Sequence, residues 1–283
     1  MISTIGILGS GTMGSGIAQV AALSGFNVLL YDVSADALQR AVERIKDDLG
    51  RSIEKDRLTQ QQADSAIGNI HVHSTLNPLH RSDAIIEAAV EDLGVKRELF
   101  KRLDDVLPSH AILATNTSSL SVTSIAAATK RAPSVVGMHF FNPPPLMKLV
   151  EIVRGKQTSD ETVHLVCDLA QKLGKVPVQC KDTPGFIVNR VARPFYGESL
   201  RLLGEGVASV EEIDRIVRLS GGFKMGPFEL MDLIGIDVNY AVTKSVYEQY
   251  FHEPRFRPHP IQRQMVEAGT LGRKTKRGFY SYE

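Results

Sequence analysis

The sequence predicts an α/β protein: a doubly wound, largely parallel sheet followed by a second, all-helical C-terminal domain. Three observations carry this. Short apolar runs alternate with helix-favouring stretches from the N-terminus to about residue 180, a glycine-rich loop follows the first apolar run, and the strand-like alternation stops at Asp182-Thr183-Pro184-Gly185. The domain boundary is drawn there, giving 1–184 and 185–283.

Each element has its own signal. Ile5 to Leu8 is a short apolar run ended by glycine, and Ile17 to Ala22 has helical character up to Gly25. Asn27 to Asp32 reads as a buried strand with an acidic end. From 34 to 62 the residues are polar and helix-favouring, with Leu38, Val42, Ile45, Leu49 and Ile53 at threes and fours. That stretch predicts a projecting helical hairpin with a turn near Arg57. Strands are predicted near 69–74, 84–89, 111–114, 135–141, 149–153 and 175–180, with helices at 98–107, after Ser121 and up to Gly174. In the second domain helical patterns cover 187–203, 210–219, 228–234 and 238–250.

Composition narrows the function. Of the 283 residues, 43% are hydrophobic and 23% charged, the balance of a globular protein. A net charge of +1 gives no reason to expect nucleic acid or an anionic membrane as partner. No apolar stretch approaches the ~20 residues of a membrane span. Met1-Ile2-Ser3-Thr4 lacks the basic start of a secretory leader. The two cysteines, Cys167 and Cys180, show no metal-ligand spacing, so no metal and a cytoplasmic location are expected.

Gly9-Ser10-Gly11-Thr12-Met13-Gly14 fits GxGxxG, and its context makes the match informative: a strand precedes it, a helix opens on it, and Asp32 ends the next strand 18 residues beyond Gly14. This is the signature of a Rossmann-type dinucleotide site. Gly9 allows the tight turn, Gly11 lets the backbone approach a pyrophosphate, and Gly14 allows close helix–strand packing. Thr12 and Met13 open the helix whose N-terminus faces the phosphates. Asp32 is placed to accept hydrogen bonds from the ribose hydroxyls. With no cation at Ser34 or Ala35 to meet a 2′-phosphate, NAD is favoured over NADP.

Four further positions carry chemistry, each with two readings. His139 stands near the C-terminal end of an apolar strand, before Pro143-Pro144-Pro145. It is either a satisfied core histidine or, at a ligand-binding sheet edge, the base that takes a hydroxyl proton as hydride leaves. Glu151 lies in another apolar run and needs a partner: Lys148 or another cation, or His139, whose tautomer it would fix. Asn116-Thr117-Ser118-Ser119 follows a strand at the same edge, where it caps the next helix or faces the site; Ser121 suits the cap equally well. Asn189 opens a helix, as a local cap or as a site residue.

Together these segments resemble the L-3-hydroxyacyl-CoA dehydrogenase family. The matching blocks are Gly9–Gly14, Ile86-Glu-Ala-Ala-Val-Glu91, Ala114-Thr-Asn-Thr-Ser-Ser-Leu120, Gly137-Met-His-Phe-Phe-Asn-Pro143, Lys181–Arg190, Met225-Gly-Pro-Phe-Glu-Leu230 and Arg277-Gly-Phe-Tyr280, in order and nearly end to end. The resemblance implies His139 as general base oriented by Glu151, with Ser118 and Asn189 bonding the substrate oxygens. It implies Glu91, Lys96, Asn116 and Asn142 around the nicotinamide. It also implies Lys55 as a CoA contact, for which a solvated surface lysine is the other reading. Arg51 and Lys55, one helical turn apart, are placed to hold CoA phosphates together. The helical domain resembles the family's substrate and dimerisation domain, implying a homodimer. The implied activity is reversible NAD-dependent oxidation of an (S)-3-hydroxyacyl-CoA, with 3-hydroxybutyryl-CoA as leading substrate, in the manner of the short, monofunctional members. The alternatives are 3-hydroxyadipyl-CoA, a free sugar acid, or a non-catalytic dinucleotide-binding protein. One departure is visible at Lys276, where relatives typically carry glycine.

Overall fold

The computed structural model describes residues 2–283; Met1, part of the stretch read above for a leader, lies outside the described residues. The chain divides into two compact units, the first ending at Thr183 and the second running Pro184–Glu283. Among the described residues no helix is long and apolar enough to cross a membrane.

The first unit is built on strands β1 (Thr4–Leu8), β2 (Asn27–Tyr31), β3 (Ile70–His73), β4 (Ala84–Glu87), β5 (Ile112–Thr115), β6 (Val135–Phe140), β7 (Leu149–Arg154) and β8 (Val176–Lys181). They form one sheet in the order β3-β2-β1-β4-β5-β6-β7-β8. All neighbours are parallel except β6 and β7, which run antiparallel. The order reverses at β1, so the carboxyl ends of β1 and β4 diverge into the crevice where open α/β sheets bind ligands.

Helices cover both faces, which is why the central strands read as continuous apolar runs. Val28 and Leu30 of β2 pack with α1 (Thr12–Leu23), α2 (Ala35–Ile53), α3 (Gln60–Gly68) and α6 (Asp160–Lys172). Leu29 and Tyr31 point the other way, with α4 (Leu93–Val106) and α5 (Val122–Ala126). Ser34 caps α2 by accepting from the Ala37 amide. Leu38, Ala41, Ile45 and Leu49, the buried stripe of α2, and Ala63 and Ala66 of α3 belong to the main core. The buried stripes of the hairpin's two helices thus join the core, and its second helix continues to Gly68. The amphipathic stripe that marks such a helix is the face it buries.

The second unit holds α7 (Val188–Gly204), α8 (Val210–Gly221), α9 (Pro227–Ile234), α10 (Ile236–Gln249) and α11 (Pro260–Glu267) around Tyr196, Leu200, Ile213, Phe228, Met231 and Ile236. Helix α11 has no counterpart in the sequence reading, because Pro258 and Pro260 mask its start; Pro260 sits in its first turn, where proline is tolerated. Two buried carboxylates act as internal staples. Asp214 accepts from the Phe228 and Glu229 amides and the Tyr280 hydroxyl. Asp232 accepts from the Phe279 and Tyr280 amides and the Tyr282 hydroxyl. The Arg277–Tyr280 block therefore anchors the C-terminal segment.

Candidate active site

Residues from five strand ends meet at one edge of the sheet. The loop after β1 carries the glycines. Gly9 has φ 90°, and a Cβ there would lie 2.6 Å from the Ala88 carbonyl oxygen. A Cβ on Gly14 would lie 1.8 Å from the Gly9 carbonyl oxygen, so both positions require glycine. Gly11 is different: nothing lies within 4 Å of the place a Cβ would take, which leaves an open cradle at the N-terminus of α1. Thr12 and Met13 form the first turn beyond it.

Asp32 follows β2. Its Oδ2 accepts from the Ser10 amide and hydroxyl, each at 2.8 Å, and its Oδ1 from the Ser34 amide at 3.1 Å. Burial pushes this carboxyl up, but the hydrogen bonds from Ser10 and Ser34 outweigh it and hold it below its usual range. A cavity of about 550 Å³ opens beside it, lined by Leu8, Gly9, Tyr31, Val33, Val95 and Leu99. Arg102 also lines this cavity, a cation the linear sequence does not bring to Asp32, and so does Glu98 one turn earlier on α4. The open cradle, the ionised carboxylate at a strand end and the apolar recess fit a dinucleotide with phosphates at α1, a ribose diol at Asp32 and an adenine in the cavity.

After β5, Asn116 accepts from the Phe140 amide at 2.8 Å through its side-chain oxygen, tying the ends of β5 and β6. Ser121, not the 117–119 loop, caps α5, and Asp182 supports it by accepting from the Ser121 hydroxyl and the Val122 and Thr123 amides. The Thr117–Ser119 loop is held by Glu91 instead. Glu91 Oε1 accepts from the Thr117 hydroxyl at 2.6 Å, the Ser118 amide at 2.8 Å and hydroxyl at 3.2 Å, and the Ser119 amide at 3.2 Å. Burial raises this carboxyl, but the Lys96 charge and the bonds from Thr117 and Ser118 outweigh it and leave it below its ordinary range. Lys96 itself is fully buried.

His139 and Glu151 are direct cross-strand partners in the antiparallel β6–β7 pair. Nδ1 of His139 lies 2.7 Å from Oε2 of Glu151, and both residues are buried. Glu151 thus pairs with the histidine and not with Lys148. The Phe141 ring packs against the imidazole at 4.6 Å. Asn142 follows directly at the same edge.

Lys55 and Asn189 are the two remaining implied positions. Lys55 is exposed in the turn between α2 and α3. Helix α2 ends at Ile53 with Glu54 as its C-cap, and Arg51 is paired with Asp48. Asn189 is the second residue of α7, in the second unit. The residues that sequence reasoning missed are Glu87 and Asp182. Glu87 closes the apolar run Ala84-Ile85-Ile86 just as Asp32 closes its own strand, and that buried-acid pattern was the available signal. Among the described residues no group of three or more His, Cys, Asp or Glu is arranged to hold a metal.

Comparison with known proteins agrees with this geometry. Residues 4–183 match the family model "3-hydroxyacyl-CoA dehydrogenase, NAD binding domain" and residues 185–282 the model "3-hydroxyacyl-CoA dehydrogenase, C-terminal domain". A 3-hydroxyadipyl-CoA dehydrogenase of Escherichia coli is 48% identical over 99% of this chain, which spans 59% of that protein's length. A probable 3-hydroxybutyryl-CoA dehydrogenase of Bacillus subtilis is 45% identical, covering 100% of this chain and 98% of its own. The crystal structure of (S)-3-hydroxybutyryl-CoA dehydrogenase from Ralstonia eutropha superposes with a TM-score of 0.96 at 45% identity, each chain covered completely. With both domain models matched in order and relatives aligned from end to end, the chain belongs to the 3-hydroxyacyl-CoA dehydrogenase family of NAD-dependent oxidoreductases.

Proposed function

We propose that this chain oxidises (S)-3-hydroxybutyryl-CoA to the 3-ketoacyl-CoA, reversibly, with His139 as the base. The observation that carries the reading is the 2.7 Å contact between His139 Nδ1 and Glu151 at the sheet edge beside the glycine loop. An ionised carboxylate only accepts, so the ring proton resides on Nδ1 and the lone pair on Nε2. Nε2 takes the proton of the C3 hydroxyl as the C3–H bond breaks, and Glu151 stabilises the imidazolium that forms. NAD, when bound, supplies the hydride acceptor. Ser118, whose loop Glu91 holds, turns its one hydroxyl proton from Glu91 to the substrate oxygen, and Asn189 also donates to it, so that the carbonyl is polarised in the reverse direction. Glu91, Lys96, Asn116 and Asn142 shape the nicotinamide side, and Gly9, Gly11, Thr12, Met13, Gly14 and Asp32 the adenosine and phosphate side. Lys55 meets the CoA portion as a point charge.

The N-terminal domain, to about residue 184, serves the cofactor, and the helical domain serves substrate binding and dimerisation. Exposed Val191, Ile216 and Leu219 on α7 and α8 support a homodimer, which sedimentation at twice the 31.0 kDa chain mass checks. The unpaired Cys167 and Cys180 support a reducing, cytoplasmic setting.

The test is NADH oxidation with acetoacetyl-CoA by purified His139→Gln, whose amide keeps a donor for Glu151. A loss of about 100-fold or more in kcat/KM is expected. Wild-type kcat/KM would remove His139 from the chemistry. The name of the Escherichia coli relative supports 3-hydroxyadipyl-CoA as a second substrate reading. A panel of acyl-CoAs assayed with NAD and NADP ranks the two substrates by kcat/KM and checks the cofactor preference.

A further inference from the structure

Glu87, the last residue of β4, has no role in the scheme above, yet it sits at the root of the loop that carries Ser118. Its carboxylate and the Lys96 ammonium are 2.6 Å apart, and both side chains are 0% exposed. Glu87 Oε1 also accepts from the Ala89 amide at 2.7 Å, and Oε2 from the hydroxyl of Thr115, the last residue of β5, at 2.7 Å. Lys96 Nζ has two further neighbours, the Ala89 carbonyl at 3.4 Å and Glu91 Oε2 at 3.5 Å. Glu91 spends its other oxygen, Oε1, on Thr117, Ser118 and Ser119. A continuous path of charge therefore runs from two strand ends to the Ser118 loop.

The balance of this path matters. One ammonium faces two carboxylates and sits closer to the dry one. A buried ion pair costs so much desolvation that an apolar pair of the same volume would serve stability as well. What the pair supplies is position. Glu87 draws the ammonium to itself and keeps it from closing on Glu91. Without that pull, Lys96 would close the 3.5 Å gap and draw the Glu91 carboxylate off the three residues it holds.

We propose that Glu87 is a positioning residue for the reaction, acting through Lys96 and Glu91 to set the Ser118 hydroxyl. Direct contact with substrate is excluded, since the carboxylate is buried and both of its oxygens are engaged. The proposal rests on the reading of Ser118 as a substrate contact.

The experiment is a double-mutant cycle between Glu87→Gln and Ser118→Ala in the full chain, with acetoacetyl-CoA and NADH. Glu87→Gln keeps acceptor geometry and removes the charge. In the otherwise wild-type chain it should lower kcat by about tenfold or more. The Kd for NADH, from fluorescence titration without substrate, should stay within about twofold. In the Ser118→Ala background it should cost less than about twofold more. Equal losses in both backgrounds, or unchanged kcat in folded Glu87→Gln, overturn the proposal. Wild-type kcat in Ser118→Ala alone overturns the reading of Ser118 and the proposal together, which separates the two failures. If Glu87→Gln does not fold, Glu87→Asp keeps a buried counter-charge but draws it back from Lys96 by one methylene. A smaller deficit with the same loss of additivity is expected of it, and wild-type kcat there overturns the proposal.

Discussion

His139 and Glu151 meet because β6 and β7 are antiparallel and in register, so that residues twelve apart in the chain become direct cross-strand neighbours with Nδ1 and Oε2 at 2.7 Å. The single antiparallel junction of the sheet creates this pair. In a parallel arrangement a return to the same edge would need a crossover, and the segment between the two strands is too short for one.

Removing the charge of Glu151 while keeping its shape separates orientation from folding. Glu151→Gln can present its carbonyl or its amide to Nδ1, so the lone pair is no longer confined to Nε2. The kcat for acetoacetyl-CoA reduction is expected to fall about 100- to 10,000-fold, with NADH binding retained. Steady-state kinetics beside NADH titration checks this, and a kcat within about threefold of wild type would contradict the orienting role.

Acid stability should respond to Asp104. Its buried carboxylate accepts from the Lys130 amide at 2.7 Å and from Arg131 Nε at 2.6 Å. Burial raises this carboxyl, but those bonds and the Arg131 charge bring it below the usual 3.8. With the folded value below the unfolded one, the contribution is fully present above pH 3.8 and is lost as pH falls through the folded value. Asp104→Asn should therefore cost about 1.5–3 kcal/mol near neutrality. The difference from wild type should shrink below pH 3.8. Denaturant unfolding across this range measures it; a difference independent of pH would contradict the assignment.

Lys276 occupies a position built for glycine. Its φ of 58° and ψ of 5° place it in the left-handed region, closing the short turn Arg273–Thr275. A side chain there is strained by roughly 1 kcal/mol, partly offset by the extra chain entropy of glycine when unfolded. Lys276→Gly should stabilise the protein by up to about 0.5 kcal/mol and leave kcat/KM unchanged. Thermal unfolding checks the sign; a lower Tm would show that the lysine gains from contacts that offset its backbone strain.

Much of the fold was legible in the sequence because its signals are local. Strand and helix periodicities mark where the chain is buried on two faces or on one, and Gly9, Gly14 and Asp32 announce a nucleotide site through steric and electrostatic demands confined to a few residues. The same locality explains what sequence reading could not reach. That Glu151 pairs with His139 and not Lys148 depends on strand direction and register. That Ser121 and Asp182 cap α5, releasing Ser118 to Glu91, depends on a residue about sixty positions away. Local pattern specified the elements and the cofactor loop, while the partner of each buried charge was decided by strand pairing, because a buried ion takes the neighbour that tertiary packing brings within a few ångströms.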